Sequence, residues 1–94
     1  MPEYRKTNSF QTDYQKLIKK DLNLKKSAIK AFQLFKQNPN HPSLQIHELD
    51  SHKGIWAGHI TEKYVFTFQK QKIDDGELIY WFRRIGDHSI YDSP

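Results

Sequence analysis

The sequence has no cysteine and no long apolar run, and each absence excludes a class of protein. Without cysteine the chain can form neither a disulfide nor a thiolate metal site, which is typical of a reducing compartment. The apolar runs are far shorter than the roughly 20 residues that span a bilayer. The polar, charged start from Met1 to Lys6 does not resemble a signal peptide. We therefore expect a soluble, cytoplasmic protein that makes no membrane contact.

Residues 1–94 are expected to form a single domain. A chain of 94 residues buries roughly two-thirds of the surface that it exposes when unfolded, so it can build one modest core. Its net charge of +4 is unevenly distributed: residues 1–40 carry nine Lys or Arg against three acids, and residues 41–94 carry six against eight. The basic first half favours an acidic partner, either nucleic acid or an acidic protein. A solvated lysine face on a helix is the commoner explanation of such an excess.

Two amphipathic helices are predicted, after a segment from Pro2 to Thr7 that can add to a sheet as a strand. Ser9 is the predicted N-cap of the first helix, because its hydroxyl can accept from a free amide of the first turn. One face of this helix carries the apolar residues Phe10, Tyr14, Leu17 and Ile18. The tripeptide Asp21-Leu22-Asn23 is predicted to end it.

The second helix is predicted from about Leu24 to Gln37, with Asn23 as its cap. Asn38-Pro39 should end this helix, because a residue before proline disfavours the helical conformation. Its expected buried stripe consists of Leu24, Ala28, Ala31, Phe32 and Phe35.

Downstream of Pro42 the pattern alternates, which indicates strands. They are predicted at about Leu44 to Leu49, Ile55 to Thr61 and Tyr64 to Lys70, and a central strand begins near Glu77 after a turn at Asp74-Asp75-Gly76. The predicted class is α+β with element order β-α-α-β-β-β-β. A two-helix hairpin should pack on one face of a mainly antiparallel, four- to five-stranded sheet and leave the other face partly open.

The end of the central strand carries the residues best suited to phosphate chemistry. Arg84, Gly86, His88 and Tyr91 supply a fixed cation, a flexible turn, a titratable imidazole and a phenol within one short segment. Two further histidines, His47 and His59, lie in other strands whose ends could meet the same edge. Their spacing matches no zinc signature, so we expect no metal. Each histidine alone is equally well explained as a half-exposed polar residue.

Several short motifs, in this order, resemble the RelE/ParE superfamily of bacterial type II toxins over nearly the whole chain. They are His47-Glu48-Leu49, Lys53-Gly54-Ile55-Trp56, Gly58-His59-Ile60 and Arg84-Ile85-Gly86-Asp87-His88-Ser89-Ile90-Tyr91. Within the superfamily the sequence looks most like the YafQ-like mRNA interferases. Each motif is weak alone, and their order and spacing together carry the resemblance.

The resemblance implies specific roles. His47 and His59 match the first and second catalytic histidines, Arg84 and His88 match the closing motif, and Tyr91 corresponds to a nearby aromatic residue. The family's acid followed by Trp is replaced by Glu62-Lys63-Tyr64, so either Glu62 or Lys63 takes that role. The residues expected to contact RNA are Lys53, Lys63, Tyr64 and Arg83, the last on the opposite face from Arg84 by strand alternation.

The implied reaction is mRNA cleavage by attack of a ribose 2′-hydroxyl on the adjacent phosphate, with neither metal nor cofactor. His47 or His59 would be the general base, His88 the acid and Arg84 the electrostatic clamp, while Tyr91 would stack on a base or assist the acid. The implied partners are mRNA, the ribosome and a cognate antitoxin that forms a hetero-oligomer with the toxin.

Two other functions remain open. Proteins of ParE type share the fold, bind DNA gyrase and cleave nothing, so the fold alone does not decide the reaction. The three histidines favour the nuclease, because binding to gyrase has no chemical need for them. A catalytically degenerate toxin that only binds its antitoxin is the third interpretation, supported by Lys63 at the position of the family's acid.

Overall fold

A computed structural model describes residues 2–73 and 75–94 and confirms the predicted α+β class. The strands and helices follow in chain order: β1 (Glu3–Lys6), α1 (Asn8–Lys20), α2 (Leu22–Gln37), β2 (His47–Glu48), β3 (Ile55–His59), β4 (Val65–Lys72) and β5 (Leu78–Gly86). Short 3-10 turns occupy Pro42–Leu44 and His88–Asp92. No helix in these ranges is long and apolar enough to cross a membrane.

The five strands form one sheet in the order β1-β5-β4-β3-β2. β1 runs parallel to β5, and the other neighbouring pairs are antiparallel. β5 is paired along both edges, as its nearly continuous apolar run predicts. Both helices pack on one face of this sheet, which we call the helix face; the other is the open face.

Aromatic rings fill the core between the helices and the sheet. Phe35 of α2 is fully buried, and its ring centroid lies 5.1 Å from those of Phe68 and Tyr80 and 5.4 Å from that of Phe82. The stripe predicted for α2 is confirmed: Leu24, Ala28, Ala31 and Phe35 are buried, and Phe32 is partly buried against the core.

Both predicted helix caps are wrong by two residues. Thr7, not Ser9, caps α1: its hydroxyl accepts from Phe10 N at 3.1 Å and donates to Arg83 O at 2.7 Å. Asp21, not Asn23, caps α2, because its carboxylate accepts from Asn23 N while its own amide donates to Leu17 O. Each cap therefore also joins two elements of the fold.

The strand bounds differ from the predictions where side chains leave the alternating pattern. β2 shrinks to two residues because Leu44 belongs to the turn that begins at Pro42 and is only 1% exposed. Gln45 then takes a left-handed conformation with φ of 48°. β3 ends at His59, since the Thr61 hydroxyl accepts from Tyr64 N and closes a turn.

The turn predicted at Asp74-Asp75-Gly76 falls partly on Asp74, which lies outside the described residues. Next to it, Gly76 has φ of +82° and its amide donates to Ile73 O. This conformation is one that glycine adopts readily, as expected for a residue at a turn.

A β-bulge interrupts β5 near its end. Thr67 pairs with Arg84, but the next residue of β4, Phe68, pairs with Phe82, so Arg83 is the extra residue. Alternation is broken there, and both Phe82 and Ile85 are buried. The bulge therefore lets both Phe82 and Ile85 face the core, although they are three residues apart.

Candidate active site on the open face of the sheet

Three histidines and a tyrosine from separate segments meet at one end of the open face. The ring centroid of His59 lies 6.4 Å from that of His47 and 5.7 Å from that of His88. The Tyr91 ring lies 6.2 Å from His47 and 5.5 Å from His88, edge-on to both. These four residues, the histidine cluster below, are thus brought together as the resemblance implies.

The turn after β5 carries His88 and Tyr91 into the cluster. Asp87 caps this turn through its carboxylate, which accepts from Ser89 N at 2.9 Å. Gly86 is required at the bend, because a Cβ atom there would lie 2.8 Å from Cγ2 of the buried Ile90. The chain consequently folds back across the open face, where the main-chain oxygen of Pro94 accepts from the Thr67 hydroxyl.

Main-chain carbonyls select the tautomers of two of the histidines. His47 Nδ1 lies 2.9 Å from Gln45 O, and His88 Nε2 lies 3.2 Å from Glu62 O. A carbonyl oxygen only accepts, so each of these nitrogens carries a proton. When the rings are neutral, the lone pair is therefore on Nε2 of His47 and on Nδ1 of His88.

His59 is the half-buried member of the cluster. Burial lowers its pKa below the ordinary 6.5, and the charges of His88 and His47 lower the pKa further. The neutral imidazole is therefore favoured near neutral pH. A neutral ring can accept a proton, which is what a general base needs.

Tyr91 is held by the cluster rather than offered to solvent. Its hydroxyl is buried with no hydrogen-bond partner among residues 2–73 and 75–94, and burial raises the pKa of the phenol. The ring stands edge-on between His47 and His88. In this conformation the Tyr91 ring packs against both imidazoles and can orient them.

Arg84 is engaged elsewhere than the cluster. Its Nε and Nη2 atoms donate to the two carboxylate oxygens of Asp13 at 2.8 and 3.0 Å, and Nη1 donates to Ser93 O at 3.3 Å. The Asp13 hydrogen bonds raise the pKa of Arg84. Asp13 also accepts from Ile85 N, beyond the end of β1 along this edge of β5.

Sequence reasoning missed Asp13, which lies 71 residues from Arg84. The one available signal was that Asp13 is the single acid of the otherwise basic α1 (Asn8–Lys20). Its carboxylate joins this helix to the end of β5. Arg84 is therefore a structural cation as well as a candidate for catalysis.

Arg83 points away from Arg84, as strand alternation predicts, and it lies on the open face. Arg83 Nη1 donates to the Gln69 amide oxygen at 2.9 Å, and Nε donates to Pro94 O at 3.1 Å. Thr67 binds the same Pro94 oxygen, and it lies in register with Ala57 and His47 across the sheet. Arg83 thus shares the face of the histidines, while Arg84 reaches α1.

The remaining predicted residues fall into two groups. Tyr64 is only 5% exposed, so it belongs to the core and its assignment to RNA contact is corrected. Lys53, Glu62 and Lys63 are exposed, and it is the main-chain oxygen of Glu62 that contacts His88. Hydrogen bonds from Ser89 lower the pKa of Asp87, and the charges of Lys20 and Lys63 lower it further. Lys63 directly follows Glu62, the residue that contacts His88, so it lies near the turn that carries His88.

No group of three or more His, Asp or Glu residues is placed to hold a metal ion within residues 2–73 and 75–94. What the histidine cluster can do is transfer protons. It combines a neutral half-buried imidazole, two imidazoles with assigned tautomers and exposed lysines nearby. Those are the groups that acid–base chemistry on a phosphodiester requires.

No family model matches the sequence, and no curated protein matches it either. Solved structures do. A YoeB/ParE toxin from Agrobacterium tumefaciens superposes with a TM-score of 0.74 at 16% identity, over 92% of this chain and 98% of that chain. YafQ from E. coli gives 0.64 at 22% identity, over 95% and 96%. A copper-bound mutant toxin from Helicobacter pylori gives 0.65 at 29% identity, over 95% and 97%.

These neighbours define the class: the chain has the α+β fold of the RelE/ParE-like toxins. Within that class, the neighbours that include YafQ and the Helicobacter toxin confirm the resemblance drawn from the sequence motifs.

Proposed function

We propose that this protein is the toxin of a bacterial type II toxin–antitoxin system and that it is an endoribonuclease, an mRNA interferase acting in the cytoplasm. The observation that carries the proposal is the histidine cluster, in which the His59 ring lies within 6.4 Å of both His47, 12 residues before it, and His88, 29 residues after it. Packing of the core does not require such a cluster, because His47 and His88 are exposed. Acid–base catalysis does require neighbouring imidazoles, since one must accept a proton and another must donate one.

His59 is the proposed base and His88 the proposed acid. Neutral His59 takes the proton of a ribose 2′-hydroxyl, and the 2′-oxygen forms a bond to phosphorus. The bond from phosphorus to the 5′-oxygen breaks, and that oxygen takes a proton from the His88 imidazolium. Atoms and charges balance without a metal or cofactor, and the product ends in a 2′,3′-cyclic phosphate. Each proton transfer typically contributes roughly a hundred- to ten-thousand-fold in rate.

The phosphorane needs a cation with donor groups that are free to bind it. Arg84 is the residue implied by the resemblance, yet Asp13 neutralises much of its charge through two hydrogen bonds. Its Nη1 is bound only by a long contact of 3.3 Å to Ser93 O. We assign the clamp to Arg84 Nη1 together with Lys63, an exposed residue that directly follows Glu62, whose main-chain oxygen contacts His88.

A cognate antitoxin is part of the proposal. Among the similar structures is a complex of YafQ with DinJ from E. coli, described as a toxin–antitoxin complex, with a TM-score of 0.61 at 22% identity. In this chain a groove of about 380 Å³ opens between β1, α1 and α2, floored by Phe10 and Phe32 and flanked by Lys6 and Lys36. An acidic segment with an apolar anchor fits that chemistry.

The ion pair between Asp13 and Arg84 favours a second candidate function. If Asp13 withholds Arg84 from phosphate, the chain is a degenerate toxin that only binds its antitoxin, or a gyrase inhibitor of ParE type. Both would leave the histidines without a chemical task. The candidates separate on whether RNA is cut.

The test is cleavage of mRNA, free and on translating ribosomes. We expect products with 2′,3′-cyclic or 3′-phosphate ends, activity that survives EDTA, and resistance of RNA with a 2′-deoxy group at the cut. His88→Gln and His59→Gln should each lower the single-turnover rate by roughly a hundredfold or more. His52→Gln is the matched control, since His52 lies in the loop before β3 and contacts Ser51.

Unchanged cleavage in the His59 and His88 variants would show that the site is assigned wrongly. If the folded wild type cut neither free nor ribosome-bound mRNA but inhibited gyrase, the protein would be a gyrase inhibitor of ParE type.

A further inference from the structure

An aromatic and basic patch occupies the open face beyond the histidine cluster. Arg5, Trp81 and Gln69 lie in register on β1, β5 and β4. The Trp81 indole N–H donates to the Gln71 amide oxygen at 2.8 Å, and the Arg5 guanidinium carbon lies 5.4 Å from the Trp81 ring. We call this patch the Trp81 platform; its members are Arg5, Gln69, Gln71, Trp81 and Arg83.

The platform shares a face with the histidines. Thr67, Gln69 and Gln71 alternate along β4 and so point to one side of the sheet. Thr67 is in register with His47 through Ala57, and Gln69 is in register with Trp81. The histidine cluster and the platform are therefore two regions of one continuous surface, with Pro94 between them, held by Thr67 and Arg83.

The platform is not accounted for by packing of the core. Trp81 is half-buried on the face away from both helices, and Gln69 and Gln71 are exposed. Beside the ring is a cavity of about 390 Å³, lined by Thr7, Gln69, Lys70, Gln71, Trp81 and Arg83. An aromatic ring, two side-chain amides and one guanidinium around a cavity of this size suit a nucleotide.

We infer that the Trp81 platform binds single-stranded RNA and extends the RNA-binding surface of the proposed active site along the message. An aromatic ring stacks on any base, and arginines attract the phosphates, so the contact tolerates many sequences. Strand spacing places Trp81 roughly 16 Å from His47, three strands across and two residues along. A message that lies in the histidine cluster reaches the platform a few nucleotides away.

The charge at the platform favours RNA over an acidic protein segment, because it is concentrated around a ring suited to stacking and is not spread along an apolar groove. One acid opposes it: Glu3 pairs with Arg5 at 2.7 Å, with both side chains about half exposed. Such an exposed pair contributes little to stability, so a phosphate can compete for Arg5. Glu3→Gln should therefore tighten RNA binding.

The inference concerns the RNA of the proposed function, and its test is chosen to be independent of cleavage. A 2′-O-methyl oligouridylate cannot be cut by 2′-hydroxyl attack, so its affinity reports binding alone. In a Trp56→Phe background Trp81 is the remaining tryptophan, and we expect its fluorescence to be quenched as this oligonucleotide stacks. Trp81→Ala should weaken binding by roughly 5- to 150-fold, the range expected for one stacked base.

Matched variants separate the platform from general effects. Arg5→Ala should weaken binding, whereas Lys6→Ala, the next residue on the opposite face of β1, should change it much less. Trp81→Tyr should restore most of the affinity lost in Trp81→Ala, which also excludes misfolding as the cause. The Trp81→Ala change should reduce the affinity for a long oligonucleotide more than the affinity for one too short to span both the histidine cluster and the Trp81 platform.

Equal binding by wild type and a folded Trp81→Ala protein would overturn the inference while leaving the proposed nuclease untouched. If Trp81→Ala weakened binding of the antitoxin and left the RNA affinity unchanged, the platform would be a protein-binding surface and the inference would be overturned. Trp81-dependent RNA binding by a protein that cleaves nothing would support the platform and reject the nuclease.

Discussion

The protonation of His59 sets the pH range in which the proposed base can act. Its pKa is lowered first by burial and then by the charges of His88 and His47. We expect an NMR titration to place the pKa of His59 below 6.5. In His88→Gln one of these charges is gone, so the pKa should rise, but only part of the way because burial remains. A pKa of His59 at or above 6.5 in the wild type would contradict this account.

The same lowered pKa makes stability depend on pH. In the unfolded chain His59 takes up a proton near pH 6.5, whereas the folded protein takes it up at a lower pH. Folding stability should therefore fall as the pH drops from about 6.5 to the folded pKa and then level off. Urea unfolding at several pH values should show a weaker decline in His59→Gln than in the wild type.

Asp13 determines how any Arg84 variant must be interpreted. The pair is partly buried, with side-chain exposures of 33% for Arg84 and 16% for Asp13. Asp13→Ala leaves a half-buried guanidinium and Ile85 N without their acceptor, and it should lower the free energy of unfolding by about 1–3 kcal/mol. Asp13→Asn keeps an acceptor and should cost less. Chemical denaturation measures both, and equal stability of Asp13→Ala and wild type would reject the structural role.

Activity measurements on Arg84→Ala consequently need a stability control. Arg84 bonds to Asp13 and Ser93, so Arg84→Ala removes structural contacts together with the candidate catalytic cation. Arg84→Lys, which keeps the charge, and Asp13→Asn together separate loss of fold from loss of catalysis.

At the scale of elements, α1 is attached to β5 through its cap. Thr7→Ala removes both the bond accepted from Phe10 N and the bond donated to Arg83 O. We expect a loss of about 1–2 kcal/mol of unfolding free energy, measured by urea denaturation. Ser9→Ala is the control: Ser9 is exposed within the helix and should change stability little. If Ser9→Ala were the more damaging change, the cap would be assigned wrongly.

At the scale of the whole molecule, the proposed antitoxin and RNA surfaces lie on opposite faces of the sheet. Ile29 is 45% exposed at the groove between β1, α1 and α2, while Leu22 is 81% exposed at the start of α2 and does not line it. Ile29→Glu should therefore weaken binding of the proposed acidic antitoxin, and Leu22→Glu should change it much less. Isothermal titration measures both.

The charge of the first forty residues adds a second expectation for this complex. Its lysines should attract the acidic partner, so the affinity should fall as salt is raised. Relief of growth arrest by co-expression of the partner provides the cellular measurement. An affinity that does not change with salt would reject the electrostatic part, and normal growth on induction of the folded protein would count against the toxin itself.

Local patterns in the sequence determined the elements, because helices and strands are governed by near neighbours. Apolar spacing predicted the stripe of α2 and the buried β5, and Asn38-Pro39 marked the end of α2. The motifs around His47, His59 and His88 were also sufficient to predict that these residues belong together. Strand pairing then brings these side chains close together in space, although they are far apart in the sequence.

Tertiary structure alone decided what each polar group binds. Thr7 rather than Ser9 is the cap because its hydroxyl also donates a hydrogen bond to Arg83 O, 76 residues away. Arg84 meets Asp13 because β1 ends early and leaves the edge of β5 to α1. The bulge, which returns Ile85 to the core three residues after Phe82, depends on how β4 pairs with β5. These outcomes depend on contacts between distant segments, which local spacing does not encode.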